Sequence, residues 1–280
     1  MRALAALAVA GVLALVQLAS SAAYGDLAAR PSLPAALHAL DPTLLRPFLG
    51  DTLARAQAAL HLGDLPRAEA LVRALPAGAR RDDLAGRIAE ARGDRAGALA
   101  AYVHAGDVVR AQALIDVLAT SDAPAALDQE RRLLARLEHD PNAAEVTGQA
   151  WWRLGELQAL VGYQHPAERA AYWRGAETSY ERALSYAPNE ETYLLAAGYQ
   201  SLANGDAVAA ERWYVRAAQV VPDSPDAYAG LAWAAAVRHD CADALANARR
   251  ARELRRSPAR DLAADPLFGP ALRRCGIAAP

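Results

Sequence analysis

Apolar residues recur every three or four positions along most of this chain. From Asp51 onward they form stretches of 11–16 residues, separated by short breaks of Gly-Asp, Pro or Asn. Such spacing places apolar side chains on one face of a helix, and the breaks end each helix. The pattern predicts an all-α chain of antiparallel helical hairpins that follow one another.

The first 50 residues follow a different pattern. After Arg2, no charged residue occurs in residues 3–25. This stretch reaches the roughly 20 residues of a membrane-spanning helix, whereas a cleaved signal peptide needs only about 7–15 apolar residues and a small-residue exit. Residues 21–23 (Ser-Ala-Ala) provide such an exit. Residues 26–50 contain four prolines, which exclude a long regular helix, and are interpreted as a linker.

Residues 1–25 are therefore interpreted as a hydrophobic helix that is a signal anchor or a signal peptide. The length of the stretch favours the anchor, and Gln17 disfavours it. In both cases Arg2 stays inside the cell and the rest of the chain is exported. The alternative is that these residues form the buried first helix of a cytosolic helical array.

The C-terminal half repeats itself when it is shifted by 34 positions. Alanines and tyrosines then fall on equivalent positions, as does a proline. The aligned sets are Ala176, Ala210 and Ala244; Tyr180, Tyr214 and Ala248; Ala183, Ala217 and Ala251; and Pro188 with Pro222.

The repeated residues have a simple physical meaning. Ala176 and Ala183 lie two turns apart on one helix face, so that a neighbouring helix can approach closely, and Tyr180 between them fills the groove. Proline after the second helix ends it. This pattern resembles the tetratricopeptide repeat, a pair of antiparallel helices with small residues at their crossing. The resemblance implies an α-α superhelix preceded by the N-terminal hydrophobic helix.

The resemblance also divides the chain into segments. Residues 149–258 are expected to form three repeats, the first lengthened by about nine residues near 162–166. Residues 51–148 are expected to form degenerate hairpins, with turns at Gly63-Asp64 and Gly93-Asp94. A helical array needs a cap over its last apolar face, and residues 259–280 are the candidate.

Charge and motifs point away from catalysis. The formal net charge of −2 provides no basic field for nucleic acid, and every basic residue is arginine. The sequence contains no glycine-rich phosphate loop, no His-Glu-x-x-His pair and no nucleophile elbow. The six histidines are scattered through the chain. We therefore expect no catalytic residues, no metal site and no cofactor.

The candidate binding residues come from the aromatic distribution. All five tryptophans and eight of the ten tyrosines lie between positions 151 and 228 or at Trp233. In tetratricopeptide proteins the first helix of each hairpin lines the concave surface. By phase, the residues expected there are Gln149, Trp152, Glu156, Tyr199 and Trp233. A surface lined by aromatic side chains suits a peptide or a sugar chain. An equally favoured interpretation is that these large side chains only fill the space between helices.

The two cysteines, Cys241 and Cys275, are too few and too far apart in sequence for a zinc site. In an exported protein they would form a disulfide that ties the C-terminal segment to the last repeat. The alternative is a pair of unlinked small apolar residues.

These observations predict a non-catalytic, protein-binding scaffold on the extracytoplasmic side of a bacterial inner membrane. It would be held there by the N-terminal helix, or released beyond the membrane if that segment is cleaved. Resemblance to membrane-tethered tetratricopeptide proteins implies a role in assembling an envelope complex. The alternative is an accessory protein that binds or helps to process envelope glycans, with a small-ligand site near the lengthened hairpin.

Overall fold

The computed structural model describes residues 52–140, 143–254 and 262–277. Over these ranges every regular element is helical, so the prediction of an all-α chain is confirmed there. The predicted signal segment (1–25) and linker (26–50) lie outside the described residues. None of the described helices combines the length and the apolar character needed to cross a membrane.

The helices are numbered here in chain order. They are α1 (Thr52–His61), α2 (Leu65–Arg73), α3 (Ala79–Ala91), α4 (Arg95–Ala105), α5 (Val108–Ala119), α6 (Ala123–Leu137), α7 (Ala144–Gln164), α8 (Arg169–Tyr186), α9 (Glu191–Ala203), α10 (Ala207–Val220), α11 (Pro225–Val237), α12 (Cys241–Leu254) and α13 (Gly269–Arg274), with a 3-10 turn at Leu262–Ala264.

Most of the turns between paired helices use the same two-residue device. A residue with positive φ ends one helix, and the aspartate after it begins the next. In the turn before α10, Gly205 has a φ of 89°, and the Asp206 carboxylate accepts a hydrogen bond from the Ala209 N–H at 2.8 Å. Glycine reaches this left-handed conformation without steric cost, and aspartate satisfies a free N–H at the helix start. Short sequence signals therefore set the turns.

The turn before α12 follows the same geometry with a different residue. His239 occupies the position of the glycine with a φ of 64°, and Asp240 accepts from the Asp243 N–H at 3.1 Å. This is the turn that the 34-residue alignment pairs with Gly205-Asp206. The alignment therefore identifies equivalent turns even where the glycine is replaced.

The described chain forms two compact units that divide between positions 114 and 115, inside α5. In the first unit, α1 pairs with α2 and α3 pairs with α4. The turns of these hairpins lie at Gly63-Asp64 and Gly93-Asp94. The buried core of α1–α3 contains small and branched residues, among them Ala56, Ala68 and Leu84.

In the second unit, α6 packs against α7, and three hairpins follow: α7 with α8, α9 with α10, and α11 with α12. The first hairpin is lengthened as predicted, because α7 has 21 residues and α8 has 18. Every alanine of the 34-residue alignment is buried where the helices cross. These are Ala176, Ala183, Ala210, Ala217, Ala244, Ala248 and Ala251.

A tyrosine ring lies against a glycine of the paired helix in the first two hairpins of the second unit. A methyl group added at Gly155 would come within 2.5 Å of the Tyr180 ring, and one at Gly198 within 2.8 Å of the Tyr214 ring. Neither approach is compatible with van der Waals radii. These rings therefore fix how closely the two helices of each hairpin approach.

The C-terminal segment folds back onto the last hairpin. Leu272 and Ile277 are almost fully buried in a cluster with Ala232 and Ala248 of α11 and α12. A disulfide joins Cys275 to Cys241, at the start of α12. On the loop-entropy model, a crosslink over 34 residues stabilises the folded chain by about 4 kcal/mol. The segment therefore covers the apolar face that the third hairpin would otherwise expose.

The close glycine contact yields a first prediction. Gly155→Ala should destabilise the second unit by about 1–3 kcal/mol, because the new methyl group overlaps the rigid Tyr180 ring. Gly175→Ala is the matched control, since its methyl group would approach the end of the flexible Gln158 side chain at 2.8 Å. The control should be neutral or stabilising by up to about 1 kcal/mol, the helix propensity of alanine over glycine.

Urea unfolding followed by tryptophan fluorescence measures this difference. All five tryptophans belong to the second unit, so the signal reports that unit alone. Equal stability of the two variants would contradict the role assigned to the Tyr180 contact.

Candidate partner-binding face

The first helices of the three hairpins in the second unit, α7, α9 and α11, form one surface, called here the first-helix face. Two aromatic contacts join these helices. Trp152 of α7 lies against Tyr193 of α9, and Tyr199 of α9 meets Trp233 of α11. The five residues predicted to line a binding surface all lie on these three helices.

At the α7 end, Trp152 and Tyr193 form a stacked pair. Their ring centroids are 6.1 Å apart and their planes differ by 22°. Trp152 is half-buried, and its indole N–H is shielded from solvent without a hydrogen-bond acceptor among the described residues. A buried donor without an acceptor costs about 1–3 kcal/mol. Tyr193 is buried, with only 9% of its surface exposed. The pair is therefore a rigid apolar unit in which Trp152 provides the accessible ring surface and one unused donor.

Polar side chains surround this pair. Gln149 is exposed one turn before Trp152. Burial raises the pKa of the Tyr193 hydroxyl, and the nearby carboxylates of Glu190 and Glu145 raise it further. Both glutamates are exposed. This end of the first-helix face therefore combines stacked rings with negative charge, which suits a ligand segment that carries a cation.

Glu156 has a structural task as well. Its carboxylate accepts a hydrogen bond from the Tyr180 hydroxyl at 2.7 Å, which connects α7 to α8. The side chain is exposed on its other side. Glu156 therefore lies on the first-helix face as predicted, but part of its hydrogen-bonding capacity is used inside the hairpin.

At the α11 end, the chain covers its own aromatic residues. Phe268 packs edge-on against Tyr199, with ring centroids 5.1 Å apart, and lies 6.0 Å from the Trp233 ring. Phe268 is only 5% exposed. The sequence pattern predicts that Tyr199 and Trp233 lie in an open groove, whereas in the structure the C-terminal segment occupies that place.

Backbone and side-chain hydrogen bonds hold this segment. The Trp233 indole N–H donates to the carbonyl oxygen of Leu262 at 3.2 Å. The Asp265 carboxylate accepts from the N–H groups of Leu267 and Phe268 at 2.9 and 2.8 Å, which is the geometry of an Asx turn. Asp265 therefore folds the turn that presents the Phe268 ring to the first-helix face.

The Tyr214 hydroxyl lies beneath this contact and has no hydrogen-bond partner among the described residues. Burial raises the pKa of Tyr214 well above its usual value, and the neighbouring Tyr199 and Asp265 raise it further. The equivalent Tyr180 differs, because it donates to Glu156. The described residues of the C-terminal segment that covers the α11 end therefore provide no hydrogen-bond acceptor for the Tyr214 hydroxyl.

Tyr199 and Trp233 lie on successive first helices, but the sequence pattern did not identify three other residues that complete the face. Tyr193 is one of them, since nothing in the 34-residue alignment marks it. Asp265 and Phe268 are the others. They were assigned to a cap, and the Asp-Pro-Leu-Phe order was the available signal that a turn carries an aromatic side chain.

The lengthened hairpin is closed at its tip by its own side chains. The Trp173 ring packs on Gly162, and its indole N–H donates to the carbonyl oxygen of Ala159 at 3.2 Å. The Arg169 guanidinium lies 5.2 Å above the same ring. Trp173 therefore holds the tip of the lengthened hairpin together.

A separate cleft of about 470 Å³ lies in the first unit, between α1, α3 and the turn after α4. Its carboxylates, Asp83 and Asp107, both accept from Arg110 at 2.6 and 3.1 Å. The cleft is therefore lined by an internal ion-pair network. No group of three or more potential metal ligands occurs among the described residues.

The contrast between two buried tyrosines yields a second prediction. Tyr180→Phe should destabilise the second unit by about 1 kcal/mol, because the hydrogen bond to Glu156 is lost. Tyr214→Phe should be neutral or stabilising by about 1–2 kcal/mol, because it removes a buried hydroxyl without a partner. Both tyrosines are at most 3% exposed, so the pair is matched in burial. Urea unfolding measures the difference, and a larger loss at position 214 would contradict it.

A third prediction concerns alkaline pH. Burial raises the pKa of both Tyr180 and Tyr214, so each stays protonated in the folded unit where an unfolded tyrosine ionises, near pH 10. Their stabilising contribution is complete below that pH and is lost as the pH rises toward the folded-state pKa values. Each tyrosine should contribute a slope of about 1.4 kcal/mol per pH unit above pH 10.

The variant Tyr214→Phe checks this slope. Its free energy of unfolding should fall less steeply with pH than that of the unmodified chain, by the contribution of one tyrosine. Identical slopes in urea titrations at several alkaline pH values would contradict the assignment to Tyr214.

No protein-family model matches the chain, and no curated protein sequence matches it. Among solved structures, one described as the crystal structure of MamA is similar to this chain, with 16% identity and a TM-score of 0.46. The similarity covers 60% of this chain and 93% of that one. A TM-score of this size does not establish a common fold, so the fold class rests on the helix packing described above.

Proposed function

We propose that this chain is a non-catalytic scaffold that binds a segment of another protein on the first-helix face of its second unit. One observation carries the proposal: a segment of the chain itself already occupies half of this face. Phe268 packs against both Tyr199 and Trp233, and the carbonyl oxygen of Leu262 accepts the Trp233 N–H. Aromatic anchors and backbone hydrogen bonds are the contacts by which peptide segments are commonly held.

In the other half of the face, a partner would contact the half-buried Trp152 and the exposed Gln149. Trp152 and Tyr193 form a stacked platform there, and the exposed Gln149 lies beside it. Stacked rings provide a large contact area with little loss of side-chain freedom on binding. The nearby carboxylates of Glu145 and Glu190 favour a segment with positive charge at this end.

We further propose that the repeats extend into a tetratricopeptide-like superhelix on the extracytoplasmic side of a bacterial membrane. The uncharged stretch at residues 3–25 supports export. The disulfide between Cys241 and Cys275 is consistent with an oxidising compartment, where such bonds persist. The chain would serve there in the assembly of an envelope complex.

A pair of exposed substitutions tests the binding face. A phage-displayed library of random peptides is selected on the full chain, and the selected peptides are measured against Gln149→Arg and Val208→Arg. Both positions are exposed, and Val208 lies on α10, outside the first-helix face. Gln149→Arg should weaken binding by about tenfold or more through bulk and charge. Val208→Arg should leave binding unchanged.

The same material tests the alternative ligand. If no peptide is selected, but soluble peptidoglycan fragments quench the tryptophan fluorescence saturably, the glycan-binding function replaces the one proposed. Equal effects of the two arginine substitutions would also overturn the assignment of the first-helix face.

A further inference from the structure

The C-terminal segment packs on two separate surfaces, the end of the last hairpin and the first-helix face. Leu272 and Ile277 cover the apolar face of the last hairpin. Phe268 instead joins a different cluster, with Tyr214 and Leu202, and contacts the first-helix face. The turn that carries Phe268 therefore packs on a different surface from the cap.

The turn is an imperfect occupant of that face. The Tyr214 hydroxyl is buried beneath it without an acceptor among the described residues. A segment that placed a carbonyl or carboxylate oxygen closer to Tyr214 would satisfy the same rings and this donor as well.

The covalent link holds the cap independently of the turn. The disulfide attaches Cys275 to α12, beyond the turn in the chain. Release of Phe268 therefore leaves α13 and the cap attached to the last hairpin. It also keeps the turn at a high effective concentration beside the face, so that a partner must compete for the rings.

We infer that Tyr199 and Trp233 form a binding subsite for an aromatic side chain that follows a short acidic turn in a partner protein, and that Phe268 is its resident competitor. The inference rests on the proposed function and names the partner chemistry for one half of the face. The ring of the partner takes the place of Phe268 and packs against both Tyr199 and Trp233. A backbone carbonyl of the partner accepts the Trp233 N–H, as Leu262 does here.

A peptide with the sequence of residues 262–270 is the probe. It is labelled with a fluorophore and titrated, by fluorescence anisotropy, against the full chain and its Phe268→Ala variant. The variant vacates the space beside the two rings that Phe268 fills, so the peptide should bind it at least about tenfold more tightly than the unmodified chain. A peptide in which phenylalanine is replaced by alanine should not bind.

Two further variants make the result specific. Leu267→Ala changes the neighbouring residue of the same turn, which is 36% exposed, and should leave the peptide affinity as low as in the unmodified chain. Trp233→Phe, added to Phe268→Ala, keeps a ring but removes the indole N–H. It should weaken the peptide again by about tenfold.

A folded Phe268→Ala variant that fails to bind the peptide would overturn the inference, as would equal binding by Phe268→Ala and Leu267→Ala. If Phe268→Ala does not fold, Asp265→Ala replaces it, because that change loosens the turn and leaves every ring in place. Asp265→Ala should then bind the peptide more tightly than the unmodified chain. An unchanged affinity would overturn the inference.

The outcome can be separated from that of the proposed function. Peptides selected from the random library that remain sensitive to Gln149→Arg would keep the first-helix face as a binding surface even if the subsite test fails. If the selected peptides are insensitive to Gln149→Arg and the Phe268→Ala variant does not bind the 262–270 peptide, both the scaffold function and the subsite are rejected.

Discussion

A tyrosine ring that lies directly on a helical glycine is the contact on which the second unit depends. The Tyr180 ring packs on Gly155, and the Tyr214 ring packs on both Gly198 and Gly230. A side chain at any of these glycines would overlap the ring. The ring is rigid and the glycine has no side chain, so their contact sets the distance between the helices. The interhelical alanines fit only at that distance.

The candidate site is a consequence of this spacing. Tyr214 lies between α9 and α11, so it holds together the two helices that carry Tyr199 and Trp233. At the other end, the same regular placement brings Trp152 and Tyr193 of successive first helices into a stack. The rings on the first-helix face are therefore positioned by packing beneath them.

The C-terminal segment shows how such a face is used. It packs one aromatic side chain against two rings and places one backbone carbonyl at an indole N–H, and a disulfide keeps it nearby. The Tyr214 hydroxyl remains without a partner under this contact. A face that accepts its own chain with a donor left unsatisfied has a physical reason to accept another segment.

The sequence by itself determined the helices, their turns and the equivalence of the hairpins, because these depend on neighbours within one or two turns. Gly205-Asp206 is such a signal, and so is the 34-residue recurrence of buried alanines. Only the tertiary structure decided that Phe268 covers Tyr199 and Trp233, and that Tyr193 stacks on Trp152. These contacts join residues on different elements, between 35 and 69 positions apart, and depend on how the helices pack, which no local pattern encodes.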